Sequence, residues 1–147
     1  MNPRTWFVCG AVLAGLAVVN GAFAAHGLEK RLATMHEDND DGPQLIEKRL
    51  KDYDTGVRYQ MYHAIGLMFL GIVATRKATP LWALAGFGFL AGTMIFSGLL
   101  YMLVLFEQPK LGATVPIGGV AFIVGWIALA VGAATALREP AQSPTGA

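Results

Sequence analysis

Charge is scarce in this chain and cysteine scarcer. Charged residues make up 14% of 147 positions, against about 25% in a soluble domain. That leaves too little polar surface to cover a globule in water. The net charge of +1 removes the electrostatic basis for nucleic-acid binding. A single cysteine, Cys9, cannot close an internal disulfide and has no mate for a metal or redox motif. It reads as a small apolar packing residue. Extended polar tracts are limited to residues 27–54 and 138–147.

What fills the chain instead is hydrocarbon. Hydrophobic residues account for 54% and glycines number 18, a composition common where membrane helices pack closely. Four apolar stretches stand at about 6–26, 55–75, 80–106 and 115–137, each near the ~20 residues that span a bilayer core. No charge falls deep within any of them. Arg58, one turn into the second, can snorkel outward. The expected fold is all-α: an integral membrane protein with four transmembrane helices in an up-down-up-down bundle. Residues 1–137 make a single membrane domain, and 138–147 a disordered tail. The first stretch also resembles a signal peptide, with Arg4, an apolar run and Ala22-Phe23-Ala24. Its run is longer than a signal core, so it is expected to stay as a span.

The loop at 27–54 contains an acidic turn, His36-Glu37-Asp38-Asn39-Asp40-Asp41-Gly42. A calcium-loop register ending at Gly42 would put Lys48 where a bidentate glutamate is required, so that motif fails. Beyond Pro43, the residues Leu45, Ile46, Leu50 and Tyr53 recur on one side among charges. That pattern predicts a short interfacial helix between spans one and two. Thr79 and Pro80 suit the start of span three. Trp6 and Trp82 are placed at one interface, and Tyr53, Tyr59, Tyr62 and Tyr101 toward the other. Arg4, Arg76, Lys77 and Arg138 flank the span ends on the face of the termini against one acid, Glu139. Both termini are therefore expected in the cytoplasm, with the protein multi-pass.

Small residues mark the packing faces: Ala17 and Gly21 in span one, Gly88 and Gly92 in span three, Gly118, Gly125 and Gly132 in span four. Such faces make a homo-oligomer, or a place in a larger membrane complex, an expected partner besides the lipid bilayer. A polar layer is expected in one leaflet. Asn20, Tyr59, Gln60, His63, Ser97 and Tyr101 lie at similar depth, with His26 nearer the surface. Polar groups at that depth need partners. His63 is expected to be buried as a neutral ring, bridging to Asn20, Ser97 or Tyr101.

A bis-histidine haem fails because His63 has no mate at its depth, and zinc would want more ligands. A catalytic triad lacks an acid at depth. No metal, cofactor or catalytic residue is expected. The preferred reading is non-enzymatic, with the layer as interhelical hydrogen bonding. A quinone, lipid or small-molecule site around His63, in a binder or transporter, is the alternative, and a membrane enzyme the third.

A resemblance covers nearly the whole chain in order. Gly21-Ala22-Phe23-Ala24-Ala25-His26-Gly27-Leu28, then Thr55-Gly56-Val57-Arg58-Tyr59-Gln60-Met61-Tyr62-His63-Ala64, then Phe96-Ser97-Gly98 with Tyr101, then Pro116-Ile117-Gly118-Gly119 with Gly125-Trp126 resemble the YgdD/YwdK-like family. These are small bacterial inner-membrane proteins (domain of unknown function 423, with relatives similar to transmembrane protein 256). The resemblance implies about four spans and supplies no mechanism. The segment at 34–42 is longer and more acidic than the loop the family implies.

Overall fold

The computed structural model describes residues 2–37, 42–75 and 79–136. Asp38, Asp40 and Asp41 of the acidic turn, the cations Arg76, Lys77 and Arg138, and the tail at 138–147 lie outside the described residues. All regular structure within them is helical. Helix α1 (Pro3–Phe23) passes through a π turn (Ala24–Leu28) into α2 (Glu29–Met35). Helix α3 covers Gly42–Val73. Helix α4 (Pro80–Gly92) passes through a second π turn (Thr93–Ser97) into α5 (Gly98–Leu105). A 3-10 turn (Pro109–Ala113) leads into α6 (Val115–Ala136). Local chemistry sets the starts. The Asn2 side chain accepts from Thr5 N at 2.8 Å, and Thr79 caps α4 with Pro80 at its first position.

The tract at 27–54 is mostly helix rather than loop. A π turn widens the ladder locally without ending it, so the first rod runs from Pro3 to Met35. The separate interfacial helix predicted at its far end is absent. Residues 42–54 are instead the first turns of α3, a single helix of 32 residues. No proline interrupts the chain between Pro43 and Pro80, and the Thr55 hydroxyl bonds back to Lys51 O at 2.8 Å within the helix. At about 1.5 Å per residue α3 is ~48 Å long, well beyond a ~30 Å hydrocarbon core.

Three rods, Pro3–Met35, Pro80–Leu105 and Pro109–Ala136, are long and apolar enough to cross a membrane. Helix α3 is not among them by that measure, because Arg58, Gln60, His63 and two tyrosines, Tyr59 and Tyr62, dilute its apolar half. Along α1, α4 and α6 the outward faces are largely apolar. Val8, Val12, Val18 and Val19 on α1, Leu84 and Phe87 on α4, and Ile117, Val120, Ile123 and Ile127 on α6 are exposed. A water-soluble protein does not present so much contiguous hydrocarbon.

Helices α1 and α3 lie antiparallel, as do α4 and α6. Along the first pair Phe7 meets Gly71, the face of Gly10 meets Ala64, and Gln60 reaches Leu13. Along the second, Trp82 meets Gly132, Ala85 and Phe89 meet Gly125, and Phe96 meets Gly118. Trp6 and Trp82, in the first turns of α1 and α4, turn inward and are only 1% and 5% exposed. Each indole fills the slot left by a glycine on a facing helix, Gly86 for Trp6 and Gly132 for Trp82. Two apolar clusters result. One contains Trp6, Leu67, Leu70, Trp82, Phe89 and Phe122. The other contains Leu28, Leu32, Tyr53, Leu103 and Val104.

Beyond the second cluster, charge ties α3 to the turn after α5. Arg49 is 5% exposed, and its Nη2 lies 3.4 Å from Glu107 Oε2. Glu107 adopts a φ of 51°, a left-handed backbone uncommon outside glycine. That conformation carries its carboxylate between Arg49 and His36, whose Nε2 is 3.6 Å from Glu107 Oε1. Glu107→Ala should therefore strand a buried guanidinium and lower stability by ~1–3 kcal/mol. Asp52→Ala, whose carboxylate is 3.9 Å away and more exposed, should cost under ~1 kcal/mol. Thermal unfolding in detergent checks the ordering, and equal effects would contradict it.

Candidate functional site

The polar residues separate into two groups on opposite sides of α3. Gln60, 4% exposed, faces α1 and α5. Its Nε2 donates to Leu13 O at 2.8 Å. Its Oε1 accepts from the Tyr101 hydroxyl at 2.8 Å and from Asn20 Nδ2 at 3.5 Å. Asn20 Oδ1 in turn accepts from the Tyr53 hydroxyl at 3.5 Å. Burial pushes the Tyr53 phenol up, which keeps it a donor. The Tyr53 and Tyr101 rings sit 4.8 Å apart. Asn20, Gln60 and Tyr101, candidates from sequence, are thus brought into one network. Tyr53, placed by sequence among the interfacial aromatics and on the apolar side of the interfacial helix, joins it through Asn20. The Leu13 carbonyl leaves no sequence signal at all, because every residue has one.

His63 turns away from that network. Three residues on from Gln60, it points toward α6 rather than α1, since a helix rotates about 100° per residue. It does not bridge to Asn20, Ser97 or Tyr101. Its Nδ1 is 2.7 Å from Tyr59 O on its own helix. A carbonyl only accepts, so Nδ1 carries the hydrogen. The ring lies flat on Phe122, with centroids 3.3 Å apart and planes 8° from parallel. Phe89 and Trp126 lie 5.6 and 6.0 Å away. Tyr59 stacks on Phe96 at 4.6 Å. A groove of about 570 Å³ runs along this side, lined by Tyr59, Tyr62, His63, Phe96, Phe122 and Trp126 among others. The missed signal was the spacing of Phe122 and Trp126, one helical turn apart on span four.

Two candidates stand outside both groups. Ser97 is fully buried in the second π turn, and its Oγ makes no hydrogen bond among the described residues. His26 is exposed, in the first π turn. Among the described residues no group of three or more histidines, cysteines or acids is placed to hold a metal. The glycine candidates divide similarly. A Cβ at Gly88 would lie 2.9 Å from the Gly125 backbone, and one at Gly118 2.5 Å from Phe96 N. At Gly92 and Gly132 it would meet the rings of Phe122 and Trp82. Gly21 has only Val57 at 3.5 Å, ordinary contact, while Ala17 is 1% exposed. The closest approach of α1 to α3 is at Gly10 and Gly71, positions the interval-of-four reading did not select.

The model of the DUF423 family, described as a protein of unknown function, matches residues 20–119. The chain belongs to this family. The matched stretch of this DUF423 member contains Asn20, Gln60, His63 and Tyr101, and it ends before Phe122 and Trp126. The chain is 39% identical over 131 residues to the UPF0382 membrane protein YwdK of Bacillus subtilis, covering 88% of this chain and 96% of the relative. A UPF0382 membrane protein of Staphylococcus saprophyticus is 38% identical over 130 residues, with the same coverage. One from Staphylococcus epidermidis is 37% identical over 129 residues, covering 87% of this chain and 93% of the relative. No solved structure matches the chain. Relatives described as membrane proteins and three rods of spanning length agree: this DUF423 member is a helical membrane protein.

Proposed function

We propose that this chain is a non-enzymatic, four-span protein of the bacterial inner membrane that serves a structural or accessory role, alone as an oligomer or within a larger complex. The observation that carries this reading is the state of Gln60. Its amide oxygen and one amide hydrogen are already taken by Leu13, Tyr101 and Asn20. A polar residue so committed clamps helices together and has little left to offer a substrate. The fourth span is assigned to the C-terminal half of α3. Ile65, Phe69 and Ile72 are exposed there, an apolar outer face like those of α1, α4 and α6. With antiparallel neighbours, the helices then run up-down-up-down and both termini share one side, assigned to the cytoplasm by the sequence positions of Arg4, Arg76, Lys77 and Arg138.

Membrane catalysis has little support. Ser97 and His63 make no hydrogen bond to each other, and no acid belongs to either group of polar residues. The binding alternative survives only at His63.

Topology provides the test. In a Cys9→Ser background, Glu37→Cys and Ala147→Cys are expected to react with a membrane-impermeant maleimide from opposite sides. Labelling of both from the same side of intact cells would remove the four-span arrangement.

A further inference from the structure

We propose that the groove between α3 and α6 binds a flat, membrane-dissolved aromatic molecule that carries a hydroxyl donor, of the phenol or quinol class. This attaches to His63 and does not depend on the structural role assigned to Gln60.

The chemistry follows from the ring. His63 is 4% exposed and lines the groove. With Nδ1–H committed to Tyr59 O at 2.7 Å, the neutral imidazole has one function left, the lone pair on Nε2. Among the described residues the only hydrogen bond of the His63 ring is the one at Nδ1. An acceptor in hydrocarbon gains most from a ligand that donates. A hydroxyl does so. The carbonyls of an oxidised quinone do not, and an acyl chain would fill the space while leaving the nitrogen unpaired.

The walls set the shape. Tyr59 and Phe96 stack at 4.6 Å and 25°, and Phe122 and Trp126 lie on the facing helix. Such rings favour another ring in offset or edge contact. The volume of about 570 Å³ is in the range of small-molecule sites. Tyr62 and Trp126 at the rim are 55% and 44% exposed, so the groove opens sideways toward lipid. His63 lies eight residues, about 12 Å, along α3 from Thr55, below the level of phospholipid headgroups. A ligand that reaches it must dissolve in the bilayer.

The test uses a matched pair of probes, 1-naphthol and 1-methoxynaphthalene, which share a ring system and differ in the donor. Protein in phosphatidylcholine nanodiscs is dialysed to equilibrium against each, with protein-free discs subtracting partition into lipid. Retention of 1-naphthol should exceed that of the methyl ether about tenfold. In histidine-labelled protein, 1-naphthol should move the Nε2 nitrogen resonance of His63 and leave those of His26 and His36. His63→Phe keeps the stack on Phe122 and removes the nitrogen, so naphthol retention should fall to that of the ether. Should that variant not fold, Gly119→Leu decides. A Cβ there meets only Phe96 ring atoms at 3.9 and 4.0 Å, so the longer side chain has room to enter the groove, and it should displace both probes. Equal retention of the two probes by the wild type overturns the proposal, as does naphthol binding that survives Gly119→Leu. Neither result touches the Gln60 clamp, which is read by unfolding.

Discussion

Gly125→Leu should lower stability by ~3 kcal/mol, the upper end of the cost of overpacking. A Cβ at this position would sit 2.8 Å from two Phe89 ring atoms and 3.2 Å from the carbonyl oxygen of Ala85. Phe89 is 0% exposed and packed on Trp126 with centroids 4.8 Å apart. It has nowhere to go unless α4 and α6 separate. Helices in a bilayer gain no hydrophobic energy from pairing, so a lost close approach is not made good by other burial. Gly15→Leu is the control. Nothing lies within 4 Å of a Cβ there, so its effect should stay within ~0.5 kcal/mol. Thermal unfolding in one detergent compares them, and native mass shows whether subunit number changes. If both variants melt like wild type, α4 and α6 are not held together at Gly125.

Gln60→Ala should cost ~2–4 kcal/mol. Interhelical hydrogen bonds in membranes average ~0.6 kcal/mol and reach ~1.7. This substitution removes three at once, and leaves the Tyr101 hydroxyl facing a cavity without its acceptor. Tyr101→Phe removes one bond and leaves Gln60 with Leu13 and Asn20, so its cost should be below ~1.5 kcal/mol. The ordering matters more than either value. A Gln60→Ala variant with an unchanged midpoint and an altered content of bound small molecules would reverse the assignment, making Gln60 a ligand contact.

The polar layer shows how far spacing reaches. Intervals of three and four place Tyr59, Gln60 and His63 on one broad face of a helix, and matched depth brings Asn20 and Tyr101 level with them. Of the groups in the network, spacing and depth reach Asn20, Gln60 and Tyr101 and leave out Tyr53 and the Leu13 carbonyl. They do not separate Gln60 from His63. A face wide enough for both spans the boundary between two neighbours, α1 with α5 on one side and α6 on the other. The choice rests on where those neighbours sit. Ser97 shares the depth, in the π turn at Thr93–Ser97, and still makes no bond in the network.

The misread tract at 27–54 has a related cause. Its charges looked like loop and surface helix because charge is expensive in lipid. Charge does not stop a helix, however. Glu, Lys and Arg are good helix formers, and α3 carries them straight through Asp54 and Thr55. The tryptophans show a different limit. Trp6 and Trp82 stand in the first turns of α1 and α4, but the direction each indole takes, onto a glycine of a facing helix, is set by packing.

Composition alone settles the solvent of this protein. Apolar runs of spanning length leave nowhere for most of the chain except hydrocarbon, and there the backbone must satisfy itself, so the fold is helical. Those consequences are local and need no knowledge of neighbours. Which side of α3 meets which helix is a different kind of fact. It depends on α1 against α3 at Gly10 and Gly71, and on α4 against α6 at Gly88 and Gly125. Each is a contact between residues distant in the chain, decided by shapes that only exist once both helices are formed. The groove at His63 arises there, from an imidazole of α3 and a ring of α6 that the linear order keeps fifty-nine residues apart.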